Sequence, residues 1–246
     1  MLSTPKVWRH AIQVAIPPIG LPGTLAVPVE ASGIVVFAQS GGPDEMYLPN
    51  SLLAGTLLYS GLAILIFDLL ADNEARNQDN IILLADRVDY AIGFVRSCPE
   101  TAGLPICLFG TGTGAAAAFV SAGSMPSLVG AIVSRAGRPE LAESMLKHVR
   151  APTLFFVDGN DTHALALNHT AKARMNCQTE LTALPLLSSS LDETGVERLV
   201  PGMVAHWFNQ HAGRPRARCC QAVPGSWPLT APRSAGLACR DFSPVN

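Results

Sequence analysis

The stretch Ile106-Cys107-Leu108-Phe109-Gly110-Thr111-Gly112-Thr113-Gly114-Ala115-Ala116-Ala117-Ala118 restricts the fold more than any other. It reads as a buried apolar strand, a glycine-packed turn and an alanine-rich helix. A strand that bends this sharply into a helix needs residues without bulk at the bend. It also leaves backbone N–H groups and the positive helix end facing whatever sits above the turn. Two site types are built this way. The nucleophile elbow G-x-S-x-G presents its middle residue to substrate. In the frame Gly110-Thr111-Gly112-Thr113-Gly114 that residue is Gly112, which has no side chain to attack with. The dinucleotide fingerprint G-x-G-x-x-G/A is met by Gly110, Gly112 and Ala115. A tight turn with close helix packing and no ligand is the third reading.

The neighbouring segments supply the rest of an α/β pattern. Trp8 to Ile16 and Thr24 to Val27 read as strands of an antiparallel hairpin joined through Pro17-Pro18-Ile19-Gly20. Gly33-Ile34-Val35-Val36-Phe37-Ala38 is continuously apolar, as a strand buried on both faces should be. A helix from about Pro49 to Ser60, a strand from Ala63 to Phe67 and an amphipathic helix from Ile81 to Ser97 follow. Beyond the focal stretch come a strand at Ala131 to Ser134, a helix opened by Pro139, and a strand at Thr153 to Val157. A helix near Ala164 to Met175, a strand near Glu180 to Leu184 and a helix from Glu193 to His211 complete the series. Strands alternating with helices predict a mostly parallel central sheet covered on both faces.

The chain has 246 residues, 48% hydrophobic and only 15% charged, enough for one domain over residues 1–212 with a deeply buried sheet. A net charge of −2 gives no basic field for nucleic acid. The longest apolar run, Gly61 to Leu70, is broken by Asp68 and too short to span a bilayer, and Met1 to His10 shows no apolar signal segment. Six cysteines (Cys98, Cys107, Cys177, Cys219, Cys220 and Cys239) show neither a C-x-x-C pair nor metal spacing. These features predict a cytoplasmic protein with reduced thiols, Cys107 being inert core. Residues 213–246 carry five prolines and five arginines against one acidic residue, and read as a disordered appendage.

The order of elements and their loops resembles the dienelactone-hydrolase-like branch of the α/β-hydrolases over residues 7–211. The residues that carry the resemblance are the N-terminal hairpin, Gly33 to Ala38, Ala63 to Leu70, Leu108-Phe109-Gly110, Ser134-Arg135-Ala136-Gly137-Arg138-Pro139-Glu140 and Ala151-Pro152-Thr153-Leu154. The resemblance implies an α/β-hydrolase fold and a site with no cofactor. In such proteins His-Gly follows the strand equivalent to Ile34–Ala38 and opens the oxyanion loop; Gln39-Ser40 stand there. The nucleophile position holds Gly112, the histidine position falls on Ser189, and Asp161 stands where the acid belongs. Of these landmarks, only the acid remains.

Acyl transfer needs a nucleophile, a base to take its proton and a group to orient the base. The sequence therefore implies a hydrolase-fold protein whose chemistry is impaired, of the carboxylic-ester hydrolase class if active. The inherited parts still form a hollow that accepts an anion or a carbonyl: the helix start at Thr113, the glycine amides and the loop Gln39-Ser40-Gly41-Gly42. Its expected partner is a small carbonyl or carboxylate compound, with no nucleic acid and no membrane. Thr111 and Thr113 are expected to cap the helix, and His163, two residues past Asp161, to lie on the same loop. Two alternatives stand beside this reading. One is an active ester or lactone hydrolase in which Asp161, helped by His163, activates water. The other is an NADP-type dinucleotide binder through Gly110, Gly112 and Ala115, with Arg135 at the end of the next strand for the 2′-phosphate.

Overall fold

The structure, a computed structural model, describes residues 11–40, 51–184 and 196–212. A hairpin of β1 (Ile12–Ile16) and β2 (Leu21–Ala26) leads into β3 (Gly33–Ala38), α1 (Leu52–Tyr59), β4 (Leu62–Phe67) and α2 (Ile81–Ser97). Then come β5 (Ile106–Thr111), α3 (Gly112–Ser124), β6 (Val129–Arg135), α4 (Glu143–Leu146), β7 (Thr153–Asp158), α5 (Thr162–Arg174), β8 (Thr179–Leu184) and α6 (Val196–Ala212). Short 3₁₀ segments occupy Asp72–Asn77 and Pro139–Ala142.

The strands form one eight-stranded sheet in the order β1-β2-β4-β3-β5-β6-β7-β8. Only β2 runs against its neighbours; every other adjacent pair is parallel. This is the α/β class that the alternating pattern predicts. Alternation along each strand divides the core in two. Ile34, Val36, Leu108, Ile132 and Phe155 face one way, under α2, α3 and α5. Val35, Phe37, Phe109, Val133 and Phe156 face the other way, under α1 and α6. β3 and β4 are buried at every residue, which is why they read as unbroken apolar runs rather than alternating ones.

One expectation needs correction. The helix opened by Pro139 is two short pieces, because Ala142 (φ −112°, ψ 16°) leaves helical geometry between the 3₁₀ segment and α4. The last helix begins in the described residues at Val196; its expected start at Glu193 lies outside them, as do Trp8 to His10 of the first strand. The 3₁₀ segment at Asp72–Asn77 falls where no apolar period marks it. The appendage at 213–246 also lies outside the described residues. Among the described residues, no helix is long and apolar enough to cross a membrane.

The connections place a fork in the middle of the sheet. From β3 the chain goes to β4 on one side, then returns to β5 on the other side of β3 and continues outward through β6, β7 and β8. In open parallel sheets the crevice at such a fork, outside the carboxyl ends of the strands, is where ligands bind.

Candidate functional site

The carboxyl ends of β3 and β5 meet in register at Ala38 and Gly110, so the residues that follow each strand are neighbours above the fork. On the β5 side, Thr111 is still extended (φ −128°, ψ 145°) and Gly112 turns the chain into α3 with φ +51°. That left-handed conformation strains any residue with a Cβ, yet a Cβ placed there meets nothing within 4 Å. The apex is left-handed and open, which is the geometry an elbow needs to display a side chain. The flanking glycines serve packing. A Cβ on Gly110 would sit 2.5 Å from Ala115 Cα, and one on Gly114 would collide with the carbonyl oxygen of Ala38. The start of α3 can therefore lie directly on the end of β3.

That close approach decides what the hydroxyls do. Thr111 is the N-cap residue of α3 but makes no side-chain capping bond. Thr113, 9% exposed, brings Oγ1 to 2.6 Å from Ser40 Oγ. The expectation that these threonines cap the helix is corrected: Thr113 ties the helix to the loop after β3 instead. Gln39, one residue earlier, forms a bridge to Asp68, and its carbonyl accepts the Leu69 N–H at 2.9 Å. Its side-chain Oε1 is buried without a hydrogen-bond partner. The Gln39 backbone is thus fixed, with its amide oxygen turned away from solvent.

A half-buried ion pair stands behind this loop. Arg87 of α2, 4% exposed, donates to the Leu69 carbonyl and to both carboxylate oxygens of Glu74, each at 2.7 Å. Glu74 Oε2 also accepts the Ala71 N–H at 2.9 Å. The Arg87 guanidinium, followed by that N–H, pulls the Glu74 carboxyl down to about 2. A chain of hydrogen bonds accordingly runs from Arg87 through Leu69 and Gln39 to the neighbourhood of Ser40. On the far side of the elbow, the Arg138 N–H donates to the Gly112 carbonyl at 3.1 Å, bracing the bend from the loop after β6.

Asp161 follows β7, two strands from β5, so about 10 Å of sheet separates the two strand ends. It is exposed, and its Oδ1 accepts the Ala164 N–H at 2.8 Å as the N-cap of α5. Because Asp161 caps the helix, His163 lies in the first turn of α5 rather than on a loop, and it is exposed. Ser189, like Gly41 and Gly42, lies outside the described residues; the described chain stops at Leu184, the end of β8, four residues before Ser188. β8 lies beside β7 in register at Asp158 and Leu184. Arg135 ends β6 opposite Thr111 but is only 9% exposed, which withdraws it from a 2′-phosphate in solution. Cys107 points into the opposite core, and burial pushes its thiol up to about 12. Among the described residues no group of three or more His, Cys, Asp and Glu gathers as a metal site would. The Gln39 orphan and the Ser40–Thr113 bond are the features that sequence reasoning did not resolve, since both depend on how closely β3 and α3 approach.

No family model matches the chain. The structure is similar to a dienelactone hydrolase from Anabaena variabilis, with a TM-score of 0.75 and 35% identity, covering 83% of this chain and 99% of that one. It is also similar in fold to Est1E from Butyrivibrio proteoclasticus, with a TM-score of 0.64 and 10% identity, covering 82% of this chain and 98% of that one. In sequence the chain is 38% identical over 212 residues to a Mycobacterium tuberculosis protein provisionally named phosphoribosyl transferase. That match covers 85% of this chain and 48% of the relative, so the chain spans about half the length of the curated relatives it matches.

Proposed function

The chain belongs to the dienelactone-hydrolase family of α/β-hydrolase-fold proteins, and from that membership we propose that it is a non-catalytic member whose crevice binds a small carbonyl or carboxylate compound. The observation that carries this reading is Gly112. The elbow is built, with φ +51° and open space above it, but it displays a hydrogen atom. No covalent acyl intermediate can form at that apex, so the nucleophilic route is closed. What remains is binding apparatus: the amides and positive end of α3 and the Ser40 and Thr113 hydroxyls.

Loss of a triad member in a hydrolase still leaves on the order of 10³-fold acceleration from oxyanion donors and binding. The test must therefore separate weak residual turnover from an esterase. Purified protein incubated with p-nitrophenyl acetate should release nitrophenol only weakly above a boiled control, at a rate that Asp161→Ala leaves unchanged. A rate well above that control, lost in Asp161→Ala, overturns the proposal in favour of an active ester hydrolase working through non-standard residues. Gly112→Ser combined with Ser189→His should restore measurable esterase activity, since the open apex has room for the serine side chain.

The transferase name of the M. tuberculosis relatives belongs to proteins about twice as long as the matched segment, and it is not carried over to this chain. A cytoplasmic location is part of the same reading.

A further inference from the structure

The outward surface of α6 carries a stripe at helical spacing. Leu199, Met203, His206 and Gln210 stand three or four residues apart and are all exposed, Leu199 at 64% and Met203 at 37%. From Leu199 to Ala212 the helix holds no Lys, Arg, Asp or Glu. α1 packs beside it on the same face of the sheet, and the Asn209 side chain donates to the Ser60 carbonyl at 3.2 Å to join the two. α1 is itself uncharged from Leu52 to Tyr59, and both of those end residues are exposed.

On the opposite face of the sheet, α2 turns Asp86 and Arg96 to water, as a solvated helix does. Loss of charge together with exposed Leu, Met and Tyr is instead the composition of an interface centre. This patch holds both halves of its own contact. Gly202 lies next to Met203, and a Cβ on it would meet nothing within 4 Å, so α6 has a notch one residue from its protruding methionine. Glycine is disfavoured inside a helix, and its use here lets another backbone come close. A two-fold axis between Gly202 and Met203 sets two α6 helices antiparallel and seats each Met203 on the partner's Gly202. The same operation lays Leu199 against the partner's His206 and brings no Lys, Arg, Asp or Glu of the stripe together.

We propose that the α6 face, flanked by α1, is a two-fold interface with a second copy of this chain. The 17 residues of α6 make it about 25 Å long, and with α1 beside it the face is about 20 Å wide. Two copies then bury on the order of 1,000 Å², the lower end of what a specific interface needs, which gives a dimer of micromolar affinity. The polar His206 and Gln210 fall at the rim, where interfaces are polar. The inference does not rest on the reading of the crevice.

The test is sedimentation of the full chain from about 1 μM to about 500 μM, a range that brackets micromolar affinity. The mass should rise with concentration from the 25.9 kDa of one chain toward twice that value. Met203→Arg sets like charges face to face at the axis and should weaken association about tenfold or more, with circular dichroism unchanged because the site is exposed. Leu199→Glu should weaken it as well, and adding His206→Lys to the same chain should restore it. The two-fold brings those opposite charges together across the interface, whereas along one helix they stand about 10 Å apart. The proposal is overturned by a chain that stays single through the whole range, by a dimer that Met203→Arg leaves intact, or by a double variant that associates no better than Leu199→Glu alone.

Discussion

Ser40 Oγ and Thr113 Oγ1 lie 2.6 Å apart, so the loop after β3 and the first turn of α3 are held as one unit at the fork of the sheet. A part-buried hydroxyl pair of this kind is worth about 1 kcal/mol. Ser40→Ala and Thr113→Val should each lower the thermal midpoint by roughly 2–4 °C. The double variant should lose less than the sum of the two, with a coupling of about 1 kcal/mol in a double-mutant cycle. Strict additivity would show that the bond contributes nothing.

The three elbow glycines should separate by cost. Gly112→Ala carries only the strain of a left-handed backbone, about 1 kcal/mol, because nothing opposes its Cβ. Gly110→Ala and Gly114→Ala drive a methyl into Ala115 and the Ala38 carbonyl, which overpacks the core by about 3 kcal/mol each. Denaturant midpoints of the three variants should show Gly112→Ala nearest the parent chain. Reversal of that order would contradict the packing of α3 against β3.

The Glu74–Arg87 pair makes stability depend on acid. Glu74 titrates at about 2 in the folded chain against 4.5 for a free carboxyl, so the folded state holds the proton less tightly. Its contribution is complete above about 4.5 and disappears as pH falls through about 2. The gap in unfolding midpoint between the parent chain and Glu74→Gln should therefore be constant above that window and close within it. A gap that widens on acidification would reverse the sign.

Thiol labelling should follow burial. Cys107 is fully buried, with its thiol pushed up to about 12, and should resist iodoacetamide at pH 8 until the chain is unfolded. Cys177, half-buried, should react before Cys98, which is 2% exposed. Residue-resolved mass spectrometry of native and urea-treated protein checks the order.

The sheet was legible because its inner strands are apolar on both faces, and α2 because Leu84, Val88, Ile92 and Val95 repeat at helical spacing and end at Ser97. The segment after Pro139 misled for a physical reason. Proline at the first turn signals a helix start, but Pro139, Ala142 and Leu146 are all buried, and the backbone breaks at Ala142 between the two short helices that carry them. At the site, the position of Gly112 could be read from spacing alone, because the glycines are forced by the bend. The partner of Thr113 could not. Helix capping and a bond to Ser40 use the same hydroxyl, and the choice rests on a contact between residues far apart in the chain. Asp161 shows the converse: its local role as a helix cap is visible in the chain order, while any catalytic role depends on a neighbour at position 189.

The fork between β3 and β5 has one more consequence. The weight of the fold is carried by strand interiors and by the small residues under the bend, whereas every position that chemistry would use stands on a loop or at a helix start above them. A nucleophile can therefore vanish from such a scaffold without disturbing how it folds, since the bend tolerates the loss and even gains relief from strain. Natural selection against misfolding is blind to an event of that kind, so a silent member can persist with its architecture intact, free to be judged only by what it holds.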